Sequence, residues 1–213
     1  MTEILPERAI ELSNEAKALY SDTLPYHNWT HATTVMLNAG FIARLAEGRL
    51  NPNLLRVAAA WHDAGYYEDR PGDERSKEQY SADLVREHIG GKLSAQDIDL
   101  IRAAIIDTTV SDELPDRTLP EGIALHYADV GYLASDPGKF RKQLGMMFRE
   151  WRQRGGGVID LPDALDRTRV FGAAVVDEAN RELVRICPPR VVEGWTNAVL
   201  RNMEQLQVGD FRL

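Results

Sequence analysis

The residues able to do chemistry in this chain are few enough to weigh one at a time. Among 213 residues there are five histidines and one cysteine, Cys187. Two histidines stand beside or near acids in helical contexts: His31 in YHNWTHA, and His62 in AAAWHDAGYY, where Asp63 follows at once. Imidazole and carboxylate together ligate divalent metals, pair with each other or cap helix ends. Adjacent residues on an α-helix point about 100° apart, so His62 and Asp63 reach one ion only at a helix end or a tilted edge. The GYY after the pair is consistent with such an end. A further acid, Asp129, stands in LHYADVGYLA, a mostly apolar helical run where a lone carboxylate is costly without a cation or donor beside it. Something must neutralise it.

Positioning these side chains is a task for helices. Ile10, Leu12, Ala16 and Leu19 recur at helical spacing and predict an amphipathic helix stopped before Pro25. A second helix is expected to begin near Asn28 or Thr30, carry His31 in its first turn and stop at Gly48. Asn51 then caps the run PNLLRVAAAWHDAGYY, with Pro52 in the first turn. A run apolar on most sides belongs at the centre of a bundle, which puts His62 and Asp63 at the core's edge. EDRPGDERSK reads as a surface loop. KEQYSADLVREHI resumes helical spacing up to Gly90 and Gly91, and Ser94 opens another helix, with Asp97 as its capping-box-like partner and Leu93 and Ile98 as a staple. IALHYADVGYLA is expected to form a short apolar helix, and FRKQLGMMFREWRQR another, with Phe140, Leu144, Met147 and Phe148 marking one face. After the glycines at 155–157, two more helical patterns flank Pro188 and Pro189. Alternating strand patterns are scarce, so the fold class is all-α.

The totals narrow the function classes. The formal net charge is −8, which disfavours nonspecific binding to nucleic acid or to an anionic membrane surface. The N-terminal segment has no basic start followed by an apolar run, and no stretch approaches the roughly 20 apolar residues that span a bilayer. With one cysteine no intramolecular disulfide forms, which suits a cytoplasmic protein. A 44% hydrophobic chain of this length supplies one sizeable helical core.

With YHNWTHA, the His62–Asp63 pair and Asp129 considered together, the chain resembles the HD superfamily of metal-dependent phosphohydrolases, in particular its uncharacterised predicted phosphohydrolase members. That pattern is an early His, a His-Asp pair and a later Asp on helices around one metal. The resemblance spans roughly residues 26–135 and implies His31, His62, Asp63 and Asp129 as ligands. It also implies an HD-domain helical bundle as the core of a single all-helical domain, followed by a helical extension over about 136–213. KEQYSA is similar to a subfamily signature whose acid and serine fall on Glu78 and Ser81, while Lys77 stands where that signature has Asn. Two departures bear on substrate. Guanosine tetraphosphate hydrolases of the superfamily place Glu-Asp two residues after the pair, whereas Glu68 and Asp69 lie further on; cyclic-dinucleotide phosphodiesterases add histidines and a glycine-tyrosine-proline signature that this chain lacks. One metal is therefore expected.

Two imidazoles and two carboxylates suit a divalent ion such as Mn²⁺, Fe²⁺, Co²⁺, Ni²⁺ or Mg²⁺, with open positions for water and a phosphate oxygen. Asp63 with Glu78 forms the expected catalytic pair, Glu68 and Asp69 are further candidates to orient water, and Arg75, Lys77 and Ser81 are the expected substrate-binding residues. The expected activity is hydrolysis of a phosphomonoester or phosphoanhydride in a small molecule, a nucleotide by the resemblance. The alternative is a catalytically silent metal- and nucleotide-binding sensor or scaffold, and a homodimer stays open. His27, His88 and His126 read as structural, Thr108 and Thr109 as helix-terminal residues bonded to backbone, and the four tryptophans as core, with Trp29 and Trp61 near the site.

Overall fold

The computed structural model describes residues 4–66, 74–110, 117–155, 157 and 160–211. These form nine α-helices and short 3₁₀ turns, with no strand among the described residues. The all-α expectation therefore holds.

The most apolar segment takes the centre. Helix α3 (Pro52–Trp61) starts where the Asn51 side chain accepts hydrogen bonds from the Asn53 and Leu54 amides, and Leu54, Leu55 and Val57 through Trp61 are buried. It packs against α1 (Pro6–Ala16), α2 (Trp29–Leu45), α4 (Lys77–Ile89), α5 (Ala95–Ile106) and α6 (Pro120–Asp129). Trp61 is fully buried and its indole N–H donates to the Leu12 carbonyl, tying α3 to α1. The helix ends at Trp61, leaving His62 as its C-cap and Asp63 in the following turn.

Local signals set most of the other ends. Asn28 caps α2 by accepting from the Thr30 and His31 amides, a cap worth about 1 kcal/mol. That helix stops at Leu45, and Glu47 and Gly48 turn the chain with φ of 52° and 83°. Ser76 and Gln79 form a reciprocal capping box on α4, and Ser94 caps α5. Helix α6 runs into a 3₁₀ turn, Val130–Ala134, rather than continuing through Ala134 as one helix.

The extension consists of α7 (Pro137–Gln153), α8 (Leu161–Arg181) and α9 (Pro189–Glu204). Both α7 and α9 pack on the turn that follows Asp129, and one buried apolar cluster runs from Ile4 to Phe211. On α1 the inward face is Ala9, Leu12, Ser13 and Ala16, while Ile10 is exposed, so the apolar spacing there misassigned one position. No helix among the described residues is long and apolar enough to cross a membrane.

A buried ionic cluster locks the extension to the core. The Arg117 guanidinium reaches Glu178 and Glu182 of the α8 end, both at 3.2 Å, and donates to the carbonyls of Asp107 and Thr109 at 2.6 and 3.1 Å. Arg117, Glu178 and Glu182 are all buried.

Candidate metal centre

Three separate segments bring four side chains to one point. His31 comes from the first turn of α2, His62 and Asp63 from the end of α3, and Asp129 from the end of α6. One donor atom from each lies within 4.8 Å of all the others. The two imidazole Nε2 atoms are 3.2 Å apart; His31 Nε2 lies 3.0 Å from Asp129 Oδ1 and 3.4 Å from Asp63 Oδ2; His62 Nε2 lies 3.5 and 3.1 Å from the same oxygens. Donors bonded to one ion at about 2.1 Å, between right-angled and tetrahedral, are about 3.0–3.4 Å apart, so these separations are those of a coordination sphere.

Two details test the fit of a metal. His62 Nδ1–H donates to the Ala59 carbonyl at 2.8 Å, which leaves the Nε2 lone pair to face a metal in the cluster, the arrangement that orients a metal-binding imidazole. Asp63 Oδ2 is buried and its nearest polar neighbours are the two imidazole Nε2 atoms, so when these present lone pairs only a cation satisfies it. The residues fit a divalent ion.

Electrostatics say the same. Burial opposes a charge on His62, yet Asp63 and Asp129 outweigh it and push its pKa up to about 10; they raise His31 likewise against burial. Burial disfavours the Asp63 and Asp129 carboxylates, but the neighbouring imidazoles, and Lys77 beside Asp63, hold both below the usual carboxylate range. Two carboxylates here demand positive charge, which imidazolium protons supply when a metal does not.

The surrounding residues divide between holding the turn and lining its open side. Ser81 is fully buried and its Oγ accepts from the Gly65 amide at 3.0 Å, so it fixes the turn after Asp63. A side chain at Gly65 has no room, because its Cβ would lie 2.4 Å from the Tyr80 ring. Tyr20 donates to the Ala60 carbonyl and accepts from the Asp63 amide. Lys77 donates to Asp63 Oδ1 at 2.7 Å and lies 3.2 Å from Glu78 Oε1. Burial acts against the Lys77 charge, but Asp63 and Glu78 outweigh it and keep it an ammonium. Side-chain exposures of 18% at Asp129, 18% at His27 and 31% at Lys77 mark where solvent reaches the cluster.

A second layer comes from the extension. Glu150 of α7 accepts from the Tyr26 and His27 amides at 2.9 and 2.8 Å and pairs with His27 Nδ1. Burial lowers the His27 pKa despite Glu150, so its ring is neutral, donates through Nδ1 and keeps a lone pair on Nε2, 4.0 Å from Asp63 Oδ2. The ring stacks on Tyr66 at 3.8 Å, and Arg154 donates to the Tyr66 carbonyl at 2.8 Å.

No family profile, curated protein or solved structure matches this chain.

Of the residues expected from sequence, His31, His62, Asp63 and Asp129 converge, and Lys77, Glu78 and Ser81 adjoin them. Arg75 instead pairs with Asp83 at 2.9 Å and lies over the Tyr80 ring. Glu68 and Asp69 lie outside the described residues. His88 and His126 take no part: His88 lies beside Trp61, and His126 Nε2 is 3.5 Å from Glu178. Thr108 and Thr109 bond to the Ile105 and Ile106 carbonyls, as expected. Trp61 is in the core and Trp29 packs edge-on to Tyr20 beside the site, but Trp151 is exposed on α7 rather than in the core. Sequence reasoning missed Glu150 and Arg154, since Glu and Arg four apart read as an ordinary solvated helix pair. It also missed Tyr20 and Tyr66, for which no local signal exists.

Proposed function

We propose that this chain is a metal-dependent phosphohydrolase of the HD type it resembles, cleaving a phosphomonoester or phosphoanhydride bond in a small molecule, with nucleotides as the leading class. The observation that carries this reading is the convergence of the buried Asp63 Oδ2, two imidazole nitrogens and Asp129 at coordination-sphere spacing, with a lysine on the open side. A divalent ion held there supplies Lewis-acid polarisation of a phosphoryl oxygen and lowers the pKa of water, from about 16 to about 7 in the best zinc case.

The chain's own groups do the rest. Asp63 and Asp129 set the charge that the site offers, and the buried imidazoles exclude bulk water from its inner side. Lys77 places an ammonium at the mouth, where it offsets phosphate charge. His27, neutral and held by Glu150 and Tyr66, presents Nε2 as an acceptor for a proton or a water hydrogen.

The test strips the protein of metal and follows phosphate release from nucleotides and sugar phosphates with Mg²⁺, Mn²⁺, Co²⁺ or Ni²⁺. Release that needs both metal and Asp63, with Asp63→Ala keeping its circular dichroism, is the expected result. Equal release by Asp63→Ala would overturn the assignment. One observation favours a second reading, a sensor that binds without turnover: Glu78, the candidate base, has its carboxylate engaged by Lys77. Tight nucleotide binding with no product after long incubation would select it.

A further inference from the structure

The side of the cluster facing α4 holds more ligating atoms than one ion needs. Asp63 has two oxygens with different neighbours: Oδ2 faces the imidazoles, while Oδ1 points to Lys77 Nζ at 2.7 Å. Glu78, itself buried, brings Oε1 to within 3.2 Å of the same Nζ. His27 Nε2, whose ring is braced through Nδ1 by Glu150, lies 4.0 Å from Asp63. Two carboxylates and an imidazole lone pair therefore gather beside the first site, and the group seated between the carboxylates is an ammonium. In two-metal hydrolytic centres a carboxylate bridges two cations in this way, and the second ion clamps the phosphate.

We propose that Lys77 is a resident second cation: its ammonium takes the place a second divalent ion would occupy, so the chain holds one metal, and it does for substrate phosphate what that ion would do. The inference rests on reading the four-residue cluster as a metal site. Charge balance supports it. Asp63, Asp129 and Glu78 carry three negative charges, Lys77 returns one, and a single divalent ion matches the remainder. Glu150 does not enter this sum as a ligand, because two backbone amides and His27 already satisfy it. Without the ammonium, the excess charge and the freed Asp63 Oδ1 and Glu78 Oε1 favour a second hard cation.

The deciding measurement is Mn²⁺ stoichiometry by calorimetry on the full chain, with electron paramagnetic resonance to separate isolated from exchange-coupled ions. Wild type, Lys77→Met and Lys77→Arg are compared, each checked by circular dichroism. Met keeps the length without charge or a hard donor; Arg keeps the charge. One Mn²⁺ in wild type and Lys77→Arg, with two coupled ions in Lys77→Met, is the expected result. One ion in all three would overturn the role of Lys77 while leaving the metal site intact. Two ions in wild type would also overturn it. No Mn²⁺ bound to wild type would remove the metal reading itself, and this inference with it.

Discussion

The chain builds two buried clusters from the same kinds of residue, and they are chemically opposite. At the α2–α3–α6 junction, two imidazoles and two carboxylates meet with no permanently charged cation among the four, and Asp63 Oδ2 has only imidazole nitrogens as polar neighbours. At the α6–α8 junction, His126, Glu178 and Glu182 meet Arg117, whose guanidinium reaches both glutamates and two carbonyls. Arginine stays protonated at any physiological pH and its planar fork satisfies several acceptors at once. The second cluster thus carries its own cation, which binds both carboxylates, and it acts as a brace. The first has no such cation among its four donors, and Lys77 meets only Asp63 Oδ1, so the rest of its charge is left for an ion to balance. What distinguishes a ligand site from a structural ion cluster here is the origin of the positive charge, since both are buried and both combine imidazole with carboxylates.

Removing a charge from each cluster should therefore have different consequences. The largest effect is expected for Asp63→Ala, which takes away one of the four donors; metal affinity measured by calorimetry should fall by more than the 10–100-fold that outer-shell changes produce, with the helical circular dichroism unchanged. Arg117→Met leaves two buried carboxylates without their guanidinium and should destabilise the fold by about 3–5 kcal/mol in a guanidinium titration, yet leave metal stoichiometry as in wild type. A metal site lost with Arg117 would show that the clusters are not independent.

Glu150→Ala sits between these cases, because it leaves the Tyr26 and His27 amides without their acceptor. A loss of about 1–3 kcal/mol in stability is expected, with metal affinity changed less than tenfold and phosphate release reduced through the freed His27 ring. The gentlest probe is pH. The His62 pKa is raised in the metal-free fold, so the proton's contribution to stability is fully present below 6.5 and is lost as pH rises through about 10. Metal competes with that proton. Apparent metal affinity should rise with pH across this window, by up to about tenfold per pH unit, and calorimetry in buffers of different ionisation enthalpy should register proton release on binding. The Arg117 cluster offers no comparable proton exchange with a metal.

The positions that could be read from sequence are those governed by neighbours a few residues away. Asn28, Asn51 and Ser94 cap the helices expected of them, and Gly48 marks the turn after α2 with a positive φ. The near-continuous apolar run around Ala58 and Ala59 became the central helix, and its end placed His62 and Asp63 together as helix geometry required. Asp129 stood out because an apolar helix cannot carry a lone carboxylate cheaply. Their common position, however, followed from packing. His62 is fully buried rather than at the edge of the core, and only the crossing of α2 and α6 over α3 brings the four donor atoms together.

Residue types, helix ends and the need for a partner at Asp129 were determined by the sequence alone, because caps, periodicity and burial cost are local properties. The charge environment was decided by tertiary structure. Glu150 reaches His27 across 123 residues of chain, Lys77 turns to Asp63 while Arg75, two residues earlier, turns to Asp83, and Ser81 holds Gly65. Each depends on where a helix end lands against another helix, and no pattern within one segment encodes that meeting.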